Sequence, residues 1–362
     1  MVGAAADPTD RDVPGPVRTA PAAGGTVEGM TDNTQVRLAR RPSGLPTDEV
    51  WDITTEPVPE PGEGQFLLRT EYVSLDPAMR GWMNEGRSYI PPVQIGEVMR
   101  AGVVGQVVAS RNERFPEGAH VVATTGVQEY AVSDGKGVQL VPADAAPLPT
   151  YLGTLGMTGL TAYFGLLEIG KPQEGETVVV SGAAGATGSV VGQIAKIKGC
   201  RVVGIAGGED KCRMVVEELG FDACLDYKAG DLKAGLRREA PDRIDVYFDN
   251  VGGDILDTVL PGMAMHGRIV ICGAISQYNA DGGMTGPSNY MSLLVNRARM
   301  EGFVVFDYAD RYGEALKEMA GWLAEGELQS RETVVEGGVR AFPQALLKLF
   351  AGENTGKLVL KA

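Results

Sequence analysis

The chain has 362 residues, 44% of them hydrophobic, and this length suggests about two or three domains with cores of their own. It carries 47 acidic and 33 basic residues, and the net charge of -14 argues against nucleic acid or an anionic membrane surface as the main partner. No apolar run approaches the ~20 residues of a membrane helix. The first 30 residues also lack the layout of a signal peptide, so we expect a soluble, cytoplasmic protein.

In chain order, the first segment is a tail over residues 1–31 that is rich in Ala, Gly, Pro, Asp and Arg, and we predict that it is disordered. Residues 32–153 follow with short strand-like runs separated by Pro, Gly and acidic turns. These runs are QVRLAR, GQFLLRTEYVSL, AGVVGQVVAS, AHVVATTG and QEYAV. They predict a small, mostly antiparallel β domain.

The texture changes over residues 154–311, where apolar strands alternate with helical segments. The strands are TVVVSG, RVVGIAG, ACLDY, DVYFDN and GRIVICG, with helices expected at about 186–198 and 211–219. This alternation predicts an α/β fold with a doubly wound parallel sheet covered on both faces. Residues 312–362 carry helices at about 312–325 and 343–351 and a final strand KLVLKA, which we expect to return to the first domain.

A glycine-rich run joins the first of these strands to the first helix: VVVSGAAGATGSVVGQIAKIKGC. A turn of this kind between a strand and a helix N-terminus binds the pyrophosphate of a dinucleotide, although alanine stands where the first glycine of GxGxxG belongs. The alternative is an ordinary packed turn. The candidate contacts are Ala183, Gly185, Ala186, Thr187 and Gly188.

The end of the second strand bears on the choice of cofactor. A site for NAD needs an acidic residue there, whereas a site for NADP needs room and positive charge. Here the strand ends in AGG, with Glu209 and Asp210 slightly late and Lys211 directly behind them. The residues alone leave both cofactors open.

Cysteine and histidine bear on metal binding. They are scattered along the chain: Cys200, Cys212, Cys224, Cys272, His120 and His266. No pair has the close spacing of metal ligands, so we expect no zinc site, and reduced thiols that behave as small hydrophobic side chains.

A series of motifs, in order from about residue 32 to the end, resembles the medium-chain dehydrogenase/reductase superfamily. These are LGMTGLTAYFGL, VVVSGAAGATGSVVGQIAKIKGCRVVGIAGG, FDNVGG, GRIVICGAISQYN, MEGFVVFDY and ENTGKLVLKA. The chain is most similar to the zinc-independent alkenal/one oxidoreductases, the group with leukotriene B4 12-hydroxydehydrogenase/prostaglandin reductases and NADPH-dependent curcumin reductases.

This resemblance implies a GroES-like catalytic domain built from both chain ends, a Rossmann domain between them, and an active site in the cleft. It implies NADPH, because Lys211 and Tyr227 fall where these enzymes hold the 2′-phosphate. The implied reaction is reduction of the C=C bond of an α,β-unsaturated ketone or aldehyde. GRIVICGAI resembles the last Rossmann strand, which often pairs across a dimer in this superfamily, so a homodimer is expected.

The resemblance also assigns site residues. Tyr278 falls at the family tyrosine near the nicotinamide, and its hydroxyl, protonated at neutral pH, can donate to the enolate oxygen. Each of the further cofactor positions could instead be packing or a turn. They are Met157, Thr161, Asn250, Cys272, Gly273, Phe303, Val305, Asn354 and Gly356.

The expected substrate pocket departs from its relatives. SLDPAMRGWM has Ala78 where relatives have an aromatic residue and Trp82 where a basic residue is frequent. We expect Ala78 to open space in the pocket and Trp82 or Tyr89 to fill it, and Tyr290 is a candidate second hydroxyl. The alternative functions are NADPH-dependent quinone reduction and a silent NADPH-binding sensor, all with a small-molecule partner.

Overall fold

The computed structural model describes residues 32–280 and 282–362. The tail 1–31, for which the sequence predicts disorder, lies outside the described residues. The first part of the described chain contains strands β1 (Asp32–Leu38), β2 (Trp51–Pro57), β3 (Phe66–Ser74), β4 (Val103–Ser110), β5 (His120–Ala123), β6 (Tyr130–Ser133) and β7 (Gln139–Val141), and the short helix α1 (Ala78–Trp82).

The middle part alternates helices and strands. It contains α2 (Met157–Phe164), β8 (Thr177–Ser181), α3 (Ala186–Ile197), β9 (Arg201–Ala206), α4 (Glu209–Glu217), β10 (Ala223–Asp226), α5 (Leu232–Glu239), β11 (Ile244–Asp249), α6 (Gly253–Val259), β12 (Met263–Ile271), α7 (Met291–Asn296) and β13 (Arg299–Gly302). The last part contains α8 (Tyr312–Glu325), β14 (Glu332–Val335), α9 (Phe342–Ala351) and β15 (Lys357–Lys361).

The middle part forms a parallel sheet in the order β10-β9-β8-β11-β12-β13. Numbered from β8, this order is 3-2-1-4-5-6, the arrangement of a Rossmann fold, whose ligand crevice lies where the order reverses. That point is between β8 and β11. The α/β fold expected from the sequence is confirmed. All five residues of β8 are buried, as a sheet covered on both faces requires.

The second large sheet is mostly antiparallel and runs β14-β15-β3-β4-β5-β7, with β6 also paired to β3. Its first two strands come from the end of the chain, so this domain contains both ends of the described chain. The domain boundaries at 153 and 311 remain a prediction. No helix among the described residues is long and apolar enough to span a bilayer.

Several elements differ from the sequence expectation. Helix α4 begins two residues before Lys211, which places that lysine in the first turn. Strand β12, which contains GRIVI, was expected to be the last strand but is flanked by β11 and β13. The edge strand is therefore β13. Sequence reasoning missed β2, β7, β13, β14, α1, α2, α5, α6 and α7.

Two helical glycines test how tightly these helices pack. A Cβ at Gly192 in α3 would lie 1.8 Å from the ring of buried Phe221, whereas a Cβ at Gly321 in α8 has nothing within 4 Å. We expect Gly192→Ala to lower the free energy of unfolding by about 2–3 kcal/mol, because the rigid ring must move. The matched Gly321→Ala should raise it by about 0.5–1 kcal/mol. Urea denaturation measures both, and equal shifts would contradict the packing described.

Candidate active site

The turn after β8 is built from glycine. Gly182 adopts φ +62°, in the left-handed region, and its carbonyl accepts the N–H of Gly185 at 2.9 Å. The tight turn therefore uses Gly182, one residue before Ala183, which explains why alanine is tolerated at the first position of the motif. A Cβ at Gly188 would lie 2.3 Å from the Gly182 carbonyl oxygen, so Gly188 permits α3 to approach the strand.

Helix α3 begins at Ala186, with Gly185 as its N-cap residue. The N–H groups of a first helical turn have no acceptor within the helix, and they carry the positive end of the helix dipole. Ala186, Thr187 and Gly188 lie in this first turn, and their contact with an anion stays a prediction. Ala183 is fully buried and donates its N–H to the carbonyl of Ile205 at 3.1 Å.

The end of the chain contacts this turn directly. The Gly356 N–H donates to the Ala184 carbonyl at 2.8 Å, and the Asn354 side chain donates to the Gly356 carbonyl at 2.8 Å. Gly356 has φ +64°, and a Cβ there would lie 2.0 Å from the carbonyl oxygen of Arg331. The structure thus brings Asn354 and Gly356 beside the glycine turn.

The ends of β9 and β10 form a second cluster. One carboxylate oxygen of Asp226 accepts the N–H groups of Gly208 and Lys228, each at 2.9 Å. The Tyr227 ring lies over Gly207, where a Cβ would be 2.9 Å from a ring carbon and also 2.9 Å from the Lys228 side chain. Sequence reasoning missed Lys228, which no motif spacing marks.

Lys211 belongs to the same cluster. Its ammonium donates to the Gly352 carbonyl at 2.6 Å, and burial together with the nearby Lys228 charge lowers its pKa. The two acidic neighbours point elsewhere: the side chains of Glu209 and Asp210 are 92% and 95% exposed, and both face Arg213. The cluster therefore contains the cations of Lys211 and Lys228 and the carboxylate of Asp226, whose Oδ1 accepts two backbone N–H groups.

A buried carboxylate organises the crevice between β8 and β11. One oxygen of Asp249 accepts the hydroxyls of Ser181 (3.0 Å) and Tyr247 (2.9 Å) and the N–H groups of Val251 (3.0 Å) and Gly252 (2.9 Å). The sequence analysis missed this residue, although an aspartate within the apolar run DVYFDN is a signal.

The Asp249 network fixes its neighbours. Asn250 donates its side-chain N–H to the Ser181 carbonyl at 2.7 Å. The Asp249 carbonyl accepts the N–H groups of Cys272 at 2.9 Å and Gly273 at 3.1 Å. Burial raises the pKa of the Cys272 thiol to about 12, so this thiol stays protonated at neutral pH.

Tyr278 lies in the turn that follows β12. Its hydroxyl oxygen accepts the Ala274 N–H at 3.1 Å, and a Cβ at Gly273 would be 2.8 Å from that oxygen. Burial raises the pKa of Tyr278 above its usual 10.0. The group is therefore a protonated donor at neutral pH, and its proton has no acceptor among the residues that the structure describes.

Aromatic side chains form a wall beside this tyrosine. The Trp82 indole donates to the Tyr89 hydroxyl at 3.3 Å, and the Tyr89 ring lies 6.3 Å from the ring of Phe306. Tyr89 is 56% exposed. A negative charge on its oxygen would raise the pKa of Tyr278, which places the two groups near each other. Phe306, which the sequence analysis missed, comes from the other domain.

The other site residues predicted from the sequence belong to α1, to α2, to the core and to the position before α7. Thr161 donates to the Met157 carbonyl at 2.7 Å within α2, and a Cβ at Gly165 would lie 2.4 Å from the Phe303 ring. Val305 is buried in the core, and Ala78 is the first residue of α1. Tyr290 is 60% exposed before α7. No hydrogen bond, ion pair or ring contact joins these residues to Tyr278 in the described chain, and their roles remain predictions.

A Rossmann-type sheet and a glycine turn at a helix N-terminus define the class of dinucleotide-binding proteins. Comparison with known proteins narrows this class. Residues 34–141 match the family described as "N-terminal domain of oxidoreductase", and residues 186–321 match "Zinc-binding dehydrogenase".

Curated relatives cover nearly the whole chain. The NADPH-dependent curcumin reductase of Escherichia coli (strain K12) is 45% identical over 330 residues, which are 90% of this chain and 95% of that protein. Prostaglandin reductase 1 of Rattus norvegicus is 42% identical over 331 residues, 90% of this chain and 98% of the other. The crystal structure of CurA in complex with NADPH from Vibrio vulnificus superposes with a TM-score of 0.86. The two sequences are 46% identical, and the match covers 91% of this chain and 99% of the CurA chain.

The chain therefore belongs to the zinc-independent branch of the medium-chain dehydrogenase/reductase family, as its motifs indicate. The second matching family is described by zinc binding, but within residues 32–280 and 282–362 no three His, Cys, Asp or Glu side chains are grouped to hold a metal ion.

Proposed function

We propose that this protein uses NADPH to reduce the C=C bond of α,β-unsaturated ketones and aldehydes. The observation that carries the proposal is the Tyr278 hydroxyl, which accepts a backbone N–H and keeps its own proton for another group. The relatives named above, a curcumin reductase and a prostaglandin reductase that are 45% and 42% identical, support it.

The crevice fits a dinucleotide. Side chains at Gly188, Gly207 and Gly273 would collide with neighbouring protein atoms, so glycine is needed at these three positions for the close packing that shapes the crevice. The first turn of α3 would hold the pyrophosphate, Asn250 and Asn354 would contact the sugar and nicotinamide half, and Tyr227 would contact the adenosine end. When bound, NADPH supplies the hydride.

NADPH is favoured over NADH by the charges at the end of β9. Lys228 lies against Gly207, the charge of Lys211 is close enough to interact with it, and the carboxylates of Glu209 and Asp210 are directed into solvent toward Arg213. A ribose 2′-phosphate bound there would be close to the two lysine cations. The carboxylates of Glu209 and Asp210 would not be close to it.

Tyr278 supplies the second half of the chemistry. When the β-carbon of an enone accepts a hydride, negative charge develops on the carbonyl oxygen, and a fixed O–H donor stabilises that charge more than it stabilises the neutral substrate. The Ala274 N–H holds the tyrosine oxygen from behind and polarises its O–H bond. Trp82, Tyr89 and Phe306 would contact the flat, conjugated part of the substrate.

The reaction can be measured as NADPH consumption with a simple enone, compared with NADH, a quinone and the saturated ketone. We expect rapid, NADPH-specific consumption with the enone alone. In Tyr278→Phe, kcat should fall about a hundredfold because one donor to the oxyanion is lost, while NADPH affinity stays the same. Since burial raises the Tyr278 pKa, the wild-type advantage should persist to pH 10 and disappear above the raised pKa.

The control for that variant is Tyr130→Phe, which removes a hydroxyl from β6 in the other sheet and should leave kcat unchanged. Equal rates for Tyr278→Phe and wild type would contradict the role of Tyr278. Silence toward every acceptor, despite NADPH binding, would contradict the enzyme itself.

Lys211 is expected to decide cofactor preference. Lys211→Met should raise the Kd for NADPH roughly ten- to a hundredfold, because a charge-assisted hydrogen bond to the phosphate is lost. Its effect on NADH should be small. Lys233→Met on α5 is the matched control, and fluorescence titration measures all six affinities, those of the wild type and the two variants for each cofactor. Parallel losses for both cofactors would contradict the assignment.

We further propose a cytoplasmic homodimer. Edge strand β13 has an unpaired side, and the neighbouring helix α7 presents Leu294 and Val295 at 68% and 66% exposure, a surface typical of subunit contacts. The proposed location in the cytoplasm is supported by the four cysteines, which are free thiols, as is usual for proteins of a reducing compartment. Light scattering should give the mass of two chains, and the mass of one chain would contradict the dimer.

A further inference from the structure

Two cysteines far from the proposed chemistry lie in direct contact. Cys212 is in the first half of α4 and Cys224 is the second residue of β10, and their sulfur atoms are 3.1 Å apart. A disulfide has a sulfur separation of about 2.05 Å, so a movement of about 1 Å would join them. No sequence motif marks this pair.

Glycine on the neighbouring strand makes room for one sulfur of the pair. Cys224 is opposite Gly204 on β9, and a Cβ at Gly204 would be 3.2 Å from the Cys224 sulfur. The missing side chain of Gly204 therefore leaves the space that this sulfur occupies. The Cys224 thiol donates to the Cys212 sulfur, so Cys212 is oriented as the acceptor of the pair.

Each cysteine of the pair is close in the chain to a residue of the proposed phosphate site. Lys211 directly precedes Cys212 in the first turn of α4, and Tyr227 follows Cys224 by three residues. A covalent bond between the sulfurs would join the helix that carries Lys211 to the strand that leads to Tyr227. A backbone movement of α4 or β10 that closes the bond would shift Lys211 or Tyr227, which are the residues proposed to contact the 2′-phosphate.

We propose that a hydroperoxide oxidises Cys212 and Cys224 to a disulfide, and that this bond weakens binding of NADPH. The effect on the cofactor rests on the proposed function, whereas formation of the disulfide does not. The dithiol then acts as an oxidant-sensitive control on the supply of reducing cofactor to the active site.

The chemistry is balanced with hydrogen peroxide as the oxidant. The Cys212 thiolate attacks one peroxide oxygen, the O–O bond breaks, and a sulfenic acid forms while the departing hydroxide takes the proton that Cys212 released. The Cys224 sulfur then attacks the Cys212 sulfur, the S–O bond breaks, and the second hydroxide leaves with the Cys224 proton. Two thiols are oxidised, and one peroxide is reduced to two waters.

Acidity sets the rate and the order of these steps. Burial raises the pKa of both thiols, and for Cys212 hydrogen bonds from Cys224 and from the backbone of Ala206 oppose that effect. Cys212 is therefore the first nucleophile. Because the thiolate fraction increases as pH approaches a raised pKa, oxidation should be slow at neutral pH and should accelerate as pH rises.

The test treats purified full-length protein with hydrogen peroxide at two pH values and then measures intact mass, disulfide peptides and affinity for NADPH and NADH. We expect a mass loss of two hydrogen atoms, a single cross-linked peptide pair containing Cys212 and Cys224, and reversal by dithiothreitol. The Kd for NADPH should rise roughly tenfold, because a displacement of about 1 Å disturbs the phosphate contacts. The affinity for NADH should change little.

Variants separate this account from simple packing. Cys212→Ser and Cys224→Ser should each abolish the cross-link, with Cys212→Ala and Cys224→Ala as substitutes if a serine variant is unstable. Cys200→Ser, which removes a buried thiol elsewhere, should behave as wild type. Four intact thiols after peroxide, a different cross-link, or a disulfide with unchanged NADPH affinity would overturn the proposal. If the reduced protein fails to bind NADPH, the cofactor proposal fails, while the peptide map still decides the disulfide.

Discussion

The hydrogen bond from Gly356 to the Ala184 carbonyl is the contact on which the site depends most. It joins the end of the chain to the glycine turn of the parallel sheet, and the two segments also form a parallel bridge at Gly185. Strand β15, which begins one residue later, pairs with β3 in the other sheet. This backbone contact therefore joins the two separate cores at the glycine turn, and the hydrogen bond from Lys211 to the Gly352 carbonyl is a second link between the same parts of the chain.

Polar groups behind the crevice have a comparable role. Burying the Asp249 carboxylate is costly unless it is hydrogen bonded, and four donors from three neighbouring segments satisfy it. The same network orients Asn250 and the backbone that leads to Tyr278. The proposed reaction thus relies on the Asp249 network as a support behind the crevice. The stabilisation of the enolate is then supplied by one hydroxyl, that of Tyr278.

Much of the fold could be predicted from local patterns, because buried parallel strands appear as continuous apolar runs and helix α8 has clear amphipathic spacing. Short, polar or partly exposed elements could not: α5 reads LKAGLRRE, and β14 is only half-buried. The glycine motif was found, but the left-handed turn lies at Gly182, since backbone geometry and not letter spacing selects the residue. Lys228, Phe306 and the Cys212–Cys224 contact depend on tertiary packing, which no single-sequence pattern encodes.

The central claim is that hydride reaches the β-carbon of a conjugated alkene, and isotope transfer tests it most directly. NADPH deuterated at C4 of the nicotinamide, on each face in turn, would be incubated with the protein and an enone, and the product examined by NMR. The account predicts deuterium at the β-carbon of a saturated ketone from one of the two labelled cofactors. Deuterium at the carbonyl carbon of an alcohol, or a reduced product without deuterium from either cofactor, would contradict it.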